Sequence, residues 1–119
     1  MTGASVLVVD DELGMRETVA EILEGAGYEV TTASSGEDAL SRMRQHEFDV
    51  VLMDIRMPGR DGISVLQEIG PPPPPVVVMT AYAVEEQLRA AVEAQSFAVV
   101  HKPVPATYLI DLVGRAAAA

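Results

Sequence analysis

Chemically active side chains follow four short apolar runs, each close to the point where the run ends. The runs cover 6–9, 50–53, 76–79 and 98–100, and the side chains that follow them belong to Asp10, Asp11, Asp54, Thr80 and Lys102. Carboxylates bind divalent cations and attack phosphorus, while a hydroxyl and an ammonium stabilise phosphoryl oxygens. These residue types therefore predict phosphoryl chemistry, provided that the fold brings the four ends together.

The four runs are short, continuous and rich in β-branched residues, which is typical of strands buried on both faces of a parallel sheet. Parallel strands place their carboxyl ends along one edge, where open α/β sheets bind ligands. A further strand pattern covers 28–32, and stretches with helical spacing separate the strands. The pattern predicts a (βα)5 doubly wound, flavodoxin-like sheet of strand order 2-1-3-4-5, which gathers the active side chains in one pocket.

The element bounds follow from caps, glycines and apolar spacing. Strands are predicted at 6–9, 28–32, 49–54, 76–80 and 97–101, and helices after residue 12, over 35–46, from about 63, over 84–94 and from about 106. The pair Ser34-Ser35 is predicted to supply the N-cap of the second helix, with Asp38 three residues after Ser35. A loop is predicted over 57–62. The proline run Pro71–Pro75 is interpreted as a stiff polyproline II spacer at the opposite edge of the sheet.

Composition excludes several classes of function. The chain has 119 residues, a net charge of −10 and no cysteine, which favours one domain over 1–119 without disulfides or thiolate metal sites. An acidic surface repels nucleic acid. No early apolar stretch is long enough for a signal peptide or a membrane span. We therefore expect a cytoplasmic protein that binds neither nucleic acid nor membranes.

Each pocket residue also has a simpler interpretation when it is taken alone. Asp10 and Asp11 could cap the first helix, Asp54 could open a turn, and Thr80 could be an ordinary strand-end threonine. Their occurrence on the four correct strands favours a joint site. Three neighbouring carboxylates need a compensating cation, and Mg²⁺ suits one or two carboxylates together with phosphate oxygens. Lys102, the single lysine, adds a point charge for a phosphoryl group.

Four segments carry a resemblance to a known family. The stretches at 8–12 (VVDDE), 54–62 (DIRMPGRDG), 79–82 (MTAY) and 101–103 (HKP) resemble the response-regulator receiver domain of two-component signalling. The resemblance covers essentially the whole chain. Arg16-Glu17, the segment 27–30 and the segment 80–83 are most similar to receivers of the nitrogen-regulation type.

The resemblance implies a phosphoacceptor and a metal site. Asp54 would accept a phosphoryl group from the phosphohistidine of a sensor histidine kinase. Asp11, Asp54 and the main-chain carbonyl of Arg56 would bind Mg²⁺, with Asp10 acting through water. The domain would catalyse its own phosphorylation and slow dephosphorylation, as a switch rather than a turnover enzyme.

The resemblance also implies the phosphoryl-binding and switching residues. Lys102 would pair with the phosphoryl oxygens, Thr80 would move to meet them, and the main chain of Ala81 would take part. The bond between Lys102 and Pro103 would be cis, as is usual in the family. The family's aromatic switch position holds Val99 here, which removes the ring from the relay between the threonine and that position.

The sequence just before Val99 also differs from the family pattern. Phe97 lies two positions before it and is predicted to belong to the core. Gln95-Ser96 replaces the usual Gly-Ala.

The implied partners are the kinase and an output domain with DNA-binding or ATPase function, covalently linked beyond 119. A homodimer would form through the fourth and fifth predicted helices. Three other functions are alternatives to the phosphoacceptor switch.

A pseudo-receiver would bind partners without phosphorylation. A flavin carrier of the same fold needs a hydroxyl- and glycine-rich first loop, whereas residues 10–14 are acidic. A metal-dependent phosphatase with Asp54 as nucleophile would have a second acid two residues later, where this chain has Arg56.

Overall fold

The protein is a five-stranded parallel sheet with helices on both faces. The computed structural model describes residues 3–55, 62–70, 73–80 and 96–118. Within them, the strands are β1 (Ser5–Val9), β2 (Glu29–Ala33), β3 (Val50–Asp54), β4 (Val76–Thr80) and β5 (Ala98–His101), and the helices are α1 (Leu13–Gly25), α2 (Gly36–Gln45), α3 (Gly62–Glu68) and α4 (Ala106–Ala117). The order β2-β1-β3-β4-β5 confirms the predicted doubly wound topology.

Alternation along the strands divides the core into two layers. The first layer holds Val6, Val8, Leu52, Met79 and their neighbours against α1 and α4. The second holds residues of opposite parity against α2 and α3. Every residue of β3 and β4 is buried because both strands lie inside the sheet and have helices on each face. The central strands are therefore rigid supports for whatever follows their carboxyl ends.

The edge strands differ from the predicted bounds. β2 begins at Glu29 rather than Tyr28, because the Tyr28 N–H donates to the Leu23 carbonyl at 3.1 Å and belongs to the end of α1. β5 begins at Ala98, and Phe97 is 42% exposed, so its predicted place in the core is wrong. Within the described residues β5 pairs with β4 alone, so it is an edge strand of the sheet.

The helix ends show which local signals act. Of the predicted pair Ser34-Ser35, Ser35 is the N-cap of α2, and its hydroxyl accepts a hydrogen bond from the Asp38 N–H at 3.1 Å. The predicted helix at 84–94 and most of the loop at 57–62 lie outside the described residues, as do two of the five prolines in the 71–75 run. Among the helices described, none has the length and hydropathy needed to cross a membrane.

Candidate functional site

Three carboxylates meet at the carboxyl end of the sheet. Val9 of β1 pairs in register with Met53 of β3, so Asp10 and Asp54 are the next residues on two neighbouring strands. One carboxylate oxygen from each of Asp10, Asp11 and Asp54 lies within 4.8 Å of the other two. Asp10 is 1% exposed and Asp54 is 7% exposed, whereas Asp11 faces solvent. The cluster is thus a buried pair with one accessible acid beside it.

Lys102 joins the two buried carboxylates. It follows β5, two strands away from β3, and its long side chain brings Nζ to 2.8 Å from Oδ2 of Asp10 and to 2.8 Å from Oδ2 of Asp54. Its main chain is held as well, because the Lys102 N–H donates to the Thr80 carbonyl at 2.8 Å. Thr80 ends β4 and is fully buried. The order of the strands therefore brings all five predicted pocket residues to one edge.

The charge of Lys102 is stabilised by its surroundings. Burial is the largest single influence on the pKa of the Lys102 ammonium, and it lowers that pKa. The hydrogen bonds and charges of Asp10 and Asp54 act in the opposite direction and together outweigh it, so the pKa is raised. Lys102 is therefore a fixed cation at neutral pH, and it offsets part of the repulsion among the carboxylates.

Asp10 is fixed at each of its polar atoms. Its N–H donates to the Ala33 carbonyl at 3.1 Å, and its Oδ1 accepts from the Glu12 N–H at 3.0 Å. Its carbonyl oxygen accepts a hydrogen bond from Nη1 of Arg16 at 2.7 Å. Glu12 is the N-cap of α1 and makes no side-chain cap. Asp10 thus holds both the loop before the helix and Lys102, which is more than helix capping requires.

Two residues near the site were not recognised as site residues from the sequence. Arg16 served only as a mark of resemblance, although a cation near the start of a helix, four residues after a run of three acids, is a usable signal. Gly62 begins α3, and its N–H donates to the Ile55 carbonyl at 2.8 Å. A Cβ at Gly62 would lie 2.8 Å from the Ile55 Cα and 2.9 Å from the Asp54 carbonyl oxygen. Glycine lets α3 approach the end of β3 closely.

The remaining predicted site residues fall into two groups. Arg56 and Ala81 lie outside the described residues. The bond between Lys102 and Pro103 is cis. Val99 is partly buried and packs against the second core layer. An aliphatic side chain thus occupies the position that the resemblance assigns to the aromatic switch.

Comparison with known proteins identifies the family. The model of the response regulator receiver domain matches residues 6–114. The chain belongs to this family. A crystal structure of a receiver domain from Clostridium thermocellum superposes with a TM-score of 0.88 at 31% identity, covering 97% of this chain and 94% of that one. NtrX from Brucella abortus superposes with a TM-score of 0.88 at 33% identity, covering 98% of this chain and 27% of NtrX.

Curated relatives agree with this family and with the nitrogen-regulation-like type. A response regulator receiver protein of Anaeromyxobacter is 37% identical over 108 residues, covering 89% of this chain and 45% of that protein. The transcriptional regulatory protein ZraR of Salmonella typhimurium is 37% identical over 115 residues, covering 95% of this chain and 26% of ZraR. The chain therefore spans less than half the length of these relatives.

Proposed function

We propose that this domain is a phosphoacceptor switch in which Asp54 takes a phosphoryl group from a histidine kinase with the help of Mg²⁺. The observation that supports the proposal most directly is the bridge from Lys102 to two buried carboxylates, 2.8 Å from each. A buried carboxylate at the end of a central strand, with a fixed cation beside it, is suited to receive a dianionic group. A pseudo-receiver has no need of this complete set.

The donor set fits a hard divalent cation. Lys102 supplies one positive charge to three carboxylates, so the cluster keeps a net negative charge. Carboxylate oxygens are the ligands that Mg²⁺ prefers. Asp11 and Asp54, with the Arg56 carbonyl, are the proposed ligands, and Asp10 acts through water. Bound Mg²⁺ would supply charge neutralisation for the oxygens of the transferred group.

The transfer step follows from the chemistry of the carboxylate. A carboxylate oxygen of Asp54 attacks the phosphorus, and a P–O bond forms while the P–N bond of the donor phosphohistidine breaks, leaving its electron pair on the imidazole. Lys102 already lies at hydrogen-bonding distance from Asp54, so a short movement of Nζ reaches an oxygen of the new phosphoryl group. Thr80 is the proposed hydroxyl donor, and Ala81 the proposed main-chain donor.

The wider proposal is that residues 1–119 are the receiver part of a longer regulator. The coverage of ZraR and NtrX, 26% and 27% of their lengths, supports a linked output domain with DNA-binding or ATPase function. The proposed partners are a sensor histidine kinase and a second copy of the chain, which would meet through the predicted helix at 84–94 and α4. The proposed location is the cytoplasm.

The central test is labelling by acetyl phosphate with Mg²⁺. The parent should gain about 80 Da, the mass of one phosphoryl group on an aspartate. Asp54→Asn should gain nothing. Asp111→Asn changes an acid that is 64% exposed and pairs with Arg115 on α4, and it should label like the parent. Undiminished labelling of Asp54→Asn would contradict the assignment, and an unlabelled parent would favour the pseudo-receiver.

The metal ligands need a separate measurement. Calorimetric titration should give weaker Mg²⁺ binding for Asp11→Ala than for the parent, because the change removes the accessible carboxylate of the cluster. Unaltered affinity would count against Asp11 as a ligand. Asp111→Asn serves again as the control for a lost acidic charge.

A further inference from the structure

We propose that Arg16 is a positioning residue for the metal site, acting through the peptide bond between Asp10 and Asp11. The inference rests on the proposed function and adds a residue to it. Nη1 of Arg16 donates to the Asp10 carbonyl oxygen at 2.7 Å. This oxygen belongs to the peptide unit that leads into Asp11, the exposed carboxylate of the cluster.

The contact fixes Asp11 because the peptide unit is planar. Holding its oxygen restricts rotation on both sides of the plane, at ψ of Asp10 and φ of Asp11. Asp11 depends on this restraint more than its neighbours do. Asp10 and Asp54 are held by Lys102, whereas the carboxylate of Asp11 forms no hydrogen bond or ion pair within the part of the chain that the structure describes. The main chain is therefore the part of Asp11 that is held, and it sets where the side chain leaves the backbone.

The location of Arg16 points to the same role. It is the fourth residue of α1, and a cation so near the N-terminus of a helix interacts unfavourably with the helix dipole. The arginine is half-buried, and its guanidinium contacts a carbonyl rather than any of the three carboxylates in the described contacts. A residue that served only to neutralise the acids would gain more by pairing with one of them.

Positioning and charge neutralisation predict opposite effects on metal binding. Removing a cation near an acidic cluster strengthens attraction for a divalent cation, so a purely electrostatic Arg16 would weaken Mg²⁺ binding. An Arg16 that positions Asp11 strengthens Mg²⁺ binding. Without it, part of the binding free energy would be used to order the main chain of Asp11. Partners that orient metal ligands typically change affinity by about tenfold or more when they are removed.

The experiment compares Arg16→Met and Arg16→Lys with the parent. Mg²⁺ affinity is measured by calorimetry and by the amide shifts of Asp11, and the rate of labelling by acetyl phosphate is measured against Mg²⁺ concentration. Arg115→Met is the control, since Arg115 is an exposed arginine of α4 that pairs with Asp111. If Arg16→Met does not fold, Arg16→Gln removes the charge and shortens the donor, with the same expectation.

Arg16→Met should bind Mg²⁺ about tenfold more weakly and reach the parent's labelling rate at saturating Mg²⁺. Arg16→Lys keeps a cationic donor and should restore most of the affinity. Binding by Arg16→Met that equals or exceeds that of the parent would overturn the proposal. A parent that binds no Mg²⁺ would contradict the proposed function and the role of Arg16 together, whereas a normal parent with an unaltered Arg16→Met contradicts the role of Arg16 alone.

Discussion

Replacing Asp54, the proposed phosphoacceptor, should make the folded domain more stable. In Asp54→Asn the side chain keeps its shape and still accepts a hydrogen bond from Lys102, but it loses its charge. The parent holds Asp54 7% exposed beside the fully buried Asp10 and close to Asp11. Three acids and one lysine leave an excess of negative charge that folding must accommodate. The variant removes one of the two buried acids that take part in these repulsions.

The magnitude follows from the distances. Two unit charges 4.8 Å apart repel by about 3.5 kcal/mol at an effective dielectric constant of about 20. Because the carboxylate oxygens lie within 4.8 Å of one another, Asp54 loses at least about 7 kcal/mol of unscreened repulsion from Asp10 and Asp11. It also loses about 6 kcal/mol of attraction to Lys102 at 2.8 Å. The lost repulsion and the lost attraction nearly cancel, and water reduces the repulsion from the exposed Asp11. Relief of the carboxylate's desolvation penalty, several kcal/mol, then decides the sign. We expect a gain of about 1–3 kcal/mol.

Thermal unfolding measures the effect. A domain of this size should gain about 4 °C in Tm for each kcal/mol. Saturating Mg²⁺ should stabilise the parent more than Asp54→Asn and narrow the difference, because the bound cation relieves the same repulsion. Asp111→Asn, at an exposed position on α4, should change stability by less than about 0.5 kcal/mol. A loss of stability in Asp54→Asn of more than about 1 kcal/mol would refute the reasoning.

Three other predictions follow from the site. Gly62→Ala places a Cβ 2.8 Å from a main-chain atom, so it should lower the free energy of unfolding by about 1–3 kcal/mol and slow labelling. In the same denaturant titration Gly25→Ala should lose no stability, because a Cβ there meets nothing within 4 Å. Lys102→Arg replaces a point charge by a planar fork and should impair labelling by acetyl phosphate, so a variant equal to the parent would make the lysine incidental. In NMR spectra, beryllofluoride should shift the amides of Thr80–Ala94 more than those of Phe97–His101, and the reverse order would contradict this expectation.

The sheet and its order were predictable because apolar runs and active residues give the same answer. Continuous runs such as Val76–Thr80 require burial on both faces, and only a parallel sheet covered by helices provides it. Once the order was inferred, the meeting of Asp10, Asp54 and Lys102 followed from the common direction of the strands. The site was thus a consequence of topology.

What the sequence did not reveal depends on side-chain reach and on edges. Lys102 was assigned to phosphoryl oxygens, and nothing in its spacing specified that it bridges two carboxylates in this structure. The contact of Arg16 depends on a rotamer that turns the side chain back toward the strand. Phe97 was assigned to the core on hydrophobicity, but it lies just before the edge strand β5 and is 42% exposed. Periodicity identifies faces and does not indicate how fully an edge is covered.

The bridge also bears on how a phosphorylated Asp54 could be sensed in a domain in which the resemblance assigns Val99 to the switch position. Lys102 divides its ammonium between Asp10 and Asp54, and its main-chain N–H donates to the Thr80 carbonyl. A phosphoryl group on Asp54 would compete with Asp10 for that ammonium. The ion pair that joins the end of β1 to the end of β5 would then weaken as the phosphoryl group binds Lys102. A ligand shifts a conformational equilibrium only through interactions that differ between its states. Valine has no ring to exchange between exposed and buried settings, and its χ1 is stiff. The difference must then arise at Thr80 and the chain that follows it, which is why the amides of the 80–94 segment are the informative ones.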